Sequence, residues 1–165
     1  MIPSKVIGQS SRSTYKERTA VRVIVTNSKG ELIIIHASKE DYFKIPGGGV
    51  EYDEDHRDAC EREIMEETGC KVMLDPELMA TAEEWRGDLH QISFCYVAKL
   101  LEDTGITALT EEEIEDGLKH KWVGFKEGVE EMKGAKPTSE FGKSVKERDL
   151  FFVETYYEKF GQSLN

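Results

Sequence analysis

The sequence predicts an α/β fold in which a β-sheet is covered by helices on both faces. Short β-branched segments bounded by turn residues recur along the chain, which indicates several strands. Two longer segments have helical character, and one helix on each face would bury the apolar sides of the sheet. The 165 residues suffice for one domain with a sizeable core, and no shift in composition divides them.

Strands are expected to dominate the chain. The first 17 residues are polar and are predicted to form a loose arm or an edge segment. The turn residues at 27–30 should join the first two strands into a hairpin, and Pro46 with the three glycines after it should end the third strand. The strands are predicted at 19–26, 31–36, 42–45, 70–74, 78–85, 91–100 and 120–125.

Helices are expected in three places. The first ends at Gly69, because glycine readily adopts the left-handed conformation of a helix C-cap. The last is amphipathic and should dock on the sheet through its apolar side. The acidic segment 110–116 is expected to be a loop. The helices are predicted at 55–68, 127–133 and 144–160.

Acidic residues outnumber basic ones by 33 to 22, which gives a formal net charge of −11. Proteins that bind nucleic-acid polymers neutralise phosphates with Lys and Arg, so this balance argues against such a partner. It also opposes a small phosphate substrate unless cations lie between the protein and the ligand. The charge therefore favours a divalent metal in any phosphate site, although an acid excess is also typical of a plain solvated surface.

No membrane or export signal is visible. No apolar segment approaches the roughly 18 residues of a transmembrane helix, and the N-terminus lacks the apolar core of a signal peptide. We therefore expect no membrane partner and a cytoplasmic location. The cysteines at 60, 70 and 95 form no metal-binding pattern and are interpreted as reduced, small apolar residues.

Three glutamates form an acidic stripe on the first predicted helix. Glu63, Glu66 and Glu67 stand at i, i+3 and i+4, so their carboxylates share one face within about a turn. Like charges at this spacing cost a few tenths of a kcal/mol per pair, a cost that a bound cation removes. Oxygen ligands suit Mg²⁺ or Mn²⁺. The alternatives are a solvated acidic face and a cation-binding or protein-interaction surface without nucleotide chemistry.

The residues around this stripe follow a fixed pattern. Residues 48–70 read GGVEYDEDHRDACEREIMEETGC. With residue frequencies of roughly 5–7%, the fixed positions would coincide by chance about once in a million such chains. The segment resembles the Nudix box, Gly-x5-Glu-x7-Arg-Glu-U-x-Glu-Glu-x-Gly-U, where U is a bulky apolar residue. Only Cys70 departs from that pattern, at a position that concerns packing.

The resemblance implies a fold and a metal site. The fold would be an α/β/α sandwich with a mixed central β-sheet, in a single Nudix hydrolase domain over 18–165 that includes the C-terminal helix. Arg62 and Glu54 would form an internal ion pair that holds the helix and the preceding loop in register. The metal ligands for Mg²⁺, or Mn²⁺, would be Glu63, Glu66, Glu67 and the carbonyl of Gly48.

The resemblance also implies hydrolysis of a phosphoanhydride bond. Metal ions neutralise the phosphates and lower the pKa of a bound water, and a carboxylate then takes the proton as the water attacks phosphorus. Glu63 and Glu67 are candidates for this base within the box. Outside it, the acidic segment before Trp122 offers Glu112, with Glu113 as its alternative.

The substrate class is expected to be a nucleoside diphosphate linked to another group, with a nucleoside triphosphate or a modified one as our hypothesis. Arg22 and Lys44 could contact phosphate oxygens, and Tyr42, Phe43 and Trp85 could stack on a base. The alternatives are an ADP-ribose or nucleotide-sugar pyrophosphatase and a catalytically silent module that senses nucleotides. Residues 82–87 lack the proline that many ADP-ribose-cleaving members carry there. A homodimer is also a possible state, since many relatives dimerise.

Overall fold

The computed structural model describes residues 1–161. Within this range the chain forms nine strands and four helices. The strands are β1 (Ser4–Ile7), β2 (Lys16–Thr26), β3 (Leu32–Ala37), β4 (Tyr42–Lys44), β5 (Gly47–Gly49), β6 (Cys70–Leu74), β7 (Ala80–Arg86), β8 (Leu89–Asp103) and β9 (Leu118–Val123). The helices are α1 (His56–Thr68), α2 (Glu111–Glu115), α3 (Phe125–Gly134) and α4 (Glu140–Phe160).

The strands form one mixed sheet around β2. Along its whole length β2 pairs in parallel with β8, and its middle pairs antiparallel with β5. In contrast, β2 meets β3 only at Thr26 and Leu32, and β3 pairs antiparallel with β4 and β9 instead. The paths of β2 and β3 therefore diverge after one bridge, and the glycine strand β5 lies beside β2 rather than beside β4.

Helices cover the two faces of the sheet and create two cores. On one face α1 buries Ala59 and Ile64 against Val21 and Val23 of β2. On the other face α3 and α4 pack on Ile24, with Phe152 of α4 fully buried. This arrangement confirms the predicted α/β/α sandwich with a mixed sheet.

Local capping explains where α1 begins and ends. The side chain of Asp55 accepts a hydrogen bond from the Asp58 N–H at 2.8 Å, which satisfies a free donor of the first turn. Gly69 adopts the left-handed conformation at φ 73°, and its N–H bonds the Met65 carbonyl at 2.9 Å. The predicted helix and its glycine stop are confirmed to within one residue.

Two segments near the candidate site contain elements that were not predicted. The third strand ends at Lys44, before Pro46 as predicted, but Gly47–Gly49 then forms a further strand, β5, because the glycine backbone pairs with Ala20–Arg22. The segment expected to be an acidic loop contains α2, since Thr110 and Glu113 form a reciprocal capping box at its first turn. The loop prediction was wrong because it followed composition, which does not report capping.

The ends of the chain also differ in detail. The arm contains the edge strand β1, which pairs in parallel with β7, and β2 begins at Lys16, so the expected arm boundary falls inside β2. Helix α4 begins four residues earlier than predicted, because Ser139 caps it through the Gly142 N–H at 2.9 Å. Residues 162–165, the end of the predicted domain, lie outside the described residues. Within residues 1–161, no helix has the length and apolar character needed to cross a bilayer.

Candidate active site

A cleft of about 800 Å³ opens where β2 and β5 separate from β4 and β9. Glutamates of α1 and α2 line it together with basic residues of β2, β7 and α4. The acidic lining consists of Glu40, Glu51, Glu63, Glu66, Glu112, Glu113 and Asp116. The basic lining consists of Arg18, Arg22, Lys44, Arg62, Arg86 and Arg148.

The three glutamates of the α1 stripe differ in exposure. The side chain of Glu66 is 36% exposed and that of Glu63 14%, whereas Glu67 is only 1% exposed. Partial burial and the nearby charge of Glu63 raise the pKa of Glu66. The stripe therefore carries the mutual repulsion that its spacing predicts, and Glu66 is its most accessible carboxylate.

Glu67 is held by the segment that precedes the box. Its carboxylate accepts a hydrogen bond from the Gly47 N–H at 2.7 Å and forms an ion pair with the ammonium group of Lys44. Burial raises the pKa of Glu67, and the lysine and the backbone N–H partly offset that effect. Lys44 also donates to the Gly47 carbonyl at 3.2 Å, so it ties β4 and β5 to α1.

Arg62 joins the helix to the glycine strand and to the loop between them. Two of its nitrogens donate to the carboxylate of Glu54 at 2.8 and 2.9 Å, and one donates to the Gly49 carbonyl at 3.0 Å. The guanidinium holds the pKa of Glu54 down to about 2. It also reaches Glu63 at 3.0 Å and Glu66 at 3.4 Å. The ion pair that the resemblance implied is present, and its arginine extends to the acidic stripe.

Gly48 is the point where the backbone comes closest to the stripe. A Cβ built at this position would overlap the carboxylate of Glu63. Only glycine allows β5 to lie so close to α1 without displacing that side chain. The structure thus places the Gly48 backbone beside one of the carboxylates with which it was predicted to bind metal.

The acidic stripe has the chemistry of a magnesium site, with its carboxylates engaged by cationic side chains. Among residues 1–161, no three acidic, imidazole or thiol groups converge on one point. Glu63 and Glu66 face Arg62, and Glu67 faces Lys44. Hard oxygen donors close to a backbone carbonyl fit Mg²⁺ or Mn²⁺. Binding such an ion requires these side chains to rotate from Arg62 and Lys44 toward the cleft.

Helix α2 brings two further glutamates to the cleft. Glu113 accepts from the Thr110 N–H at 3.0 Å and so is engaged in the capping box. It lies close enough to Glu66 to contribute to the raised pKa of that carboxylate. Glu112 is exposed and, among the described residues, its carboxylate has no hydrogen-bond or salt-bridge partner. The two candidates for the base on α2 therefore differ, because the Glu113 carboxylate is engaged in the capping box and the Glu112 carboxylate is not.

The other predicted substrate residues separate into two groups. Arg22, Lys44 and Tyr42 line the cleft. Phe43 stacks on His36 with ring centroids 4.4 Å apart, and Trp85 stacks on His90 at 3.8 Å, both outside the residues that line the cleft. The structure brings the basic residues and Tyr42 to the site and places the other two aromatic residues elsewhere.

Sequence reasoning missed three arginines that line the cleft. Arg18 lies four residues before Arg22 on β2, so alternation along the strand could have placed both on one face. Arg86 and Arg148 come from β7 and α4, and no local pattern links them to the box. Their presence at the site depends on tertiary packing.

A comparison with protein families identifies the chain. The NUDIX domain family model matches residues 16–143, which include β2, the whole of the acidic stripe and the start of α4. The chain belongs to the NUDIX family. The resemblance of residues 48–70 to the Nudix box is thereby confirmed.

Curated relatives of this NUDIX chain include enzymes named for diphosphoinositol polyphosphates. Diphosphoinositol polyphosphate phosphohydrolase 2 of Rattus norvegicus is 27% identical over 127 residues, which cover 76% of this chain and 68% of the relative. Diphosphoinositol polyphosphate phosphohydrolase 3-alpha of Homo sapiens is 28% identical over 127 residues, covering 74% and 73%.

Solved structures share the NUDIX fold with this chain. A NUDIX hydrolase from Nitrosomonas europaea superposes with a TM-score of 0.62 at 15% identity, covering 87% of this chain and 90% of that one. The MutT protein from Methanosarcina mazei Go1 gives a TM-score of 0.58 at 19% identity, covering 84% and 95%. At these identities the likeness concerns the fold.

Proposed function

We propose that the chain is a metal-dependent hydrolase that cleaves a phosphoanhydride bond in a small phosphorylated molecule, with nucleoside diphosphate derivatives and nucleoside triphosphates as the first candidates. The observation that carries the proposal is a cleft lined by both carboxylates and guanidinium groups. Glu63, Glu66 and Gly48 line it together with Arg22. Carboxylates can hold a divalent cation and guanidinium groups can bind phosphate oxygens, so the cleft suits a metal–phosphate complex.

The metal would be held by Glu63, Glu66, Glu67 and the carbonyl of Gly48. When bound, Mg²⁺ neutralises phosphate charge and lowers the pKa of an attacking water. Arg62 keeps α1 and β5 at a fixed separation through Glu54 and the Gly49 carbonyl. Lys44 holds Glu67 in place of a metal ion, and its ammonium is close enough to the cleft to contact a phosphate once Glu67 is released.

The proton of the attacking water would pass to a carboxylate of the cleft. Glu63, Glu67 and Glu112 are the candidates. Because Glu113 is engaged in capping α2, Glu112 is the member of this pair that is free to accept a proton without loosening the helix. Replacing Glu112 with Gln should lower kcat, and replacing Glu113 with Gln should mainly weaken the first turn of α2.

A second substrate class is favoured by two observations. The curated relatives carry names that refer to diphosphoinositol polyphosphates. In addition, two of the three residues predicted to stack on a base, Phe43 and Trp85, do not line the cleft, although Tyr42 does, and four arginines outside the box line it. Diphosphoinositol polyphosphates therefore join the nucleotides as candidate substrates.

Turnover of a substrate panel tests the proposal. The panel contains nucleoside triphosphates, oxidised purine triphosphates, ADP-ribose and diphosphoinositol polyphosphates, each with Mg²⁺ and with Mn²⁺, and the products are resolved by chromatography. Efficient cleavage of one member at its diphosphate supports the proposal and identifies the substrate class. If no member is cleaved but a nucleotide raises the melting temperature, the chain is a sensor and the hydrolase proposal is wrong.

A further inference from the structure

Four arginines that lie outside the box line the cleft and stand close to one another. Arg18 and Arg22 stand four residues apart on β2, so they point to the same face of the sheet. Arg86 of β7 and Arg148 of α4 line the same cleft. None of these residues belongs to the box, and three different elements supply them.

Carboxylates form salt bridges with only two of these four arginines. Glu84 is fully buried and accepts from Arg86 at 3.2 Å and from Arg148 at 3.1 Å. Asp149 accepts from Arg148 at 2.7 Å. Two carboxylates therefore serve two of the arginines, and among residues 1–161 neither Arg18 nor Arg22 has a salt bridge.

The two remaining arginines have carboxylates nearby, Glu63 and Glu84 for Arg18 and Asp149 and Glu67 for Arg22, but among the described residues no carboxylate contacts them directly. Arg18 donates to the neutral amide oxygen of Gln91, its partner in register on β8. Arg22 is only 5% exposed, and its Nε is buried without a hydrogen-bond partner among the described residues. Burial, with the nearby charge of Arg148, lowers the pKa of Arg22 to about 10, which still leaves it charged at neutral pH.

Burying a charged guanidinium without a hydrogen-bond partner is costly, and the described residues supply no partner for the Nε of Arg22. Arg22 lines the cleft, so an anion bound there would meet it directly. The guanidinium fork matches the oxygen spacing of phosphate and can bind it through two parallel hydrogen bonds.

We infer that Arg18 and Arg22, supported by Arg86 and Arg148, form a second anion subsite that binds a phosphate group of the substrate other than the two at the metal. This inference rests on the proposed hydrolase function and narrows it to substrates with at least one further phosphate. The subsite needs no metal, because its charge comes from side chains alone. It can therefore be tested separately from catalysis.

The experiment measures binding of inorganic tripolyphosphate in EDTA by isothermal titration calorimetry at fixed, low ionic strength. Without metal the acidic stripe repels the probe. Lys44 and Arg62, which also line the cleft, are unchanged in every variant, so binding that is lost in Arg18→Met or Arg22→Met reports on the subsite. The intact chain should bind, and Arg18→Met and Arg22→Met should each weaken affinity about tenfold or more. Arg22→Lys should retain part of it. The matched control Arg57→Met, an exposed arginine at the start of α1, should bind like the intact chain.

Arg18 is exposed, so Arg18→Met should fold even if Arg22→Met does not. Kinetics can then compare two substrates that the intact chain cleaves and that differ by one phosphate group. Arg18→Met should raise KM for the substrate with the additional phosphate, with little change in kcat. Two results would overturn the subsite and leave the hydrolase function standing. In the first, Arg18→Met and Arg57→Met weaken the binding of tripolyphosphate equally. In the second, the intact chain hydrolyses its substrate but does not bind tripolyphosphate. Specific binding without turnover of any substrate would overturn the hydrolase function instead.

Discussion

At the scale of single residues, the missing side chain of Gly48 sets how closely β5 approaches α1. A Cβ there would overlap the Glu63 carboxylate. We expect Gly48→Ala to displace Glu63 and lower kcat on the order of 10-fold to 100-fold, a loss comparable to disturbing a residue that orients a metal ligand. Gly134→Ala is the control, because a Cβ at Gly134 meets nothing within 4 Å. Steady-state kinetics on both variants check this expectation, and equal activities would contradict it.

The ion pair between Arg62 and Glu54 predicts a dependence of stability on pH. Arg62 lowers the pKa of Glu54 from an ordinary 4.5 to about 2. A carboxyl whose pKa is lower in the folded chain stabilises the fold above pH 4.5 and loses that contribution as the pH falls toward 2. Glu54→Gln should therefore cost about 1.5–3 kcal/mol at neutral pH.

Urea unfolding of the intact chain and of Glu54→Gln at several pH values measures this difference. The difference in the free energy of unfolding should be constant above pH 4.5 and shrink between about pH 4.5 and 2. A difference that stays constant through this interval would show that the ion pair does not stabilise the fold as its geometry indicates.

At the scale of elements, α4 anchors the strand that leads into the site. Asp149 of α4 accepts from the Ile45 N–H at 3.0 Å and also pairs with Arg148, and all of these groups are buried. Removing one member of a buried pair leaves an uncompensated charge. Asp149→Leu should therefore lower the free energy of unfolding by about 3–5 kcal/mol.

Denaturant unfolding of Asp149→Leu beside Glu147→Gln tests this anchor. Glu147 lies on the same helix, and its side chain is 51% exposed in a surface ion pair with Lys5. Such pairs contribute about 0–1 kcal/mol, so the control should change little. Equal effects of the two substitutions would contradict a buried anchoring role for Asp149.

The elements show where sequence patterns suffice and where they fail. Helix α1 was predictable because Asp55, Gly69 and the small apolar residues between them act locally. The glycine strand β5 was not, since its backbone pairing with β2 leaves no side-chain pattern. The predicted hairpin has its turn, in which Asn27 accepts from two backbone N–H groups, but only one bridge follows it. The hairpin does not extend because β2 pairs with β8 instead of β3. Since β2 and β8 are far apart in sequence, no local pattern predicts this pairing.

At the scale of the whole molecule, the box predicted the acidic stripe and Arg62, and tertiary packing brought the other arginines to the same cleft. The spacing of Glu63, Glu66 and Glu67 indicated their common face, and Arg62 and Glu54 were paired by the same motif. In contrast, Arg86 and Arg148 reach the cleft only through the contacts of β7 and α4 with the sheet. A cytoplasmic location and a homodimer stay predictions.

The most direct test of the metal-dependent hydrolase is turnover of the best panel substrate by three proteins. These are the intact chain, Glu66→Gln and the control Glu61→Gln, which changes an exposed glutamate of the same helix. We expect EDTA to abolish turnover by the intact chain and Mg²⁺ to restore it. Glu66→Gln should lose at least about 100-fold in kcat, and Glu61→Gln should be unaffected. Turnover that persists in EDTA, or that survives in Glu66→Gln, would contradict hydrolysis by a metal ion held at the acidic stripe.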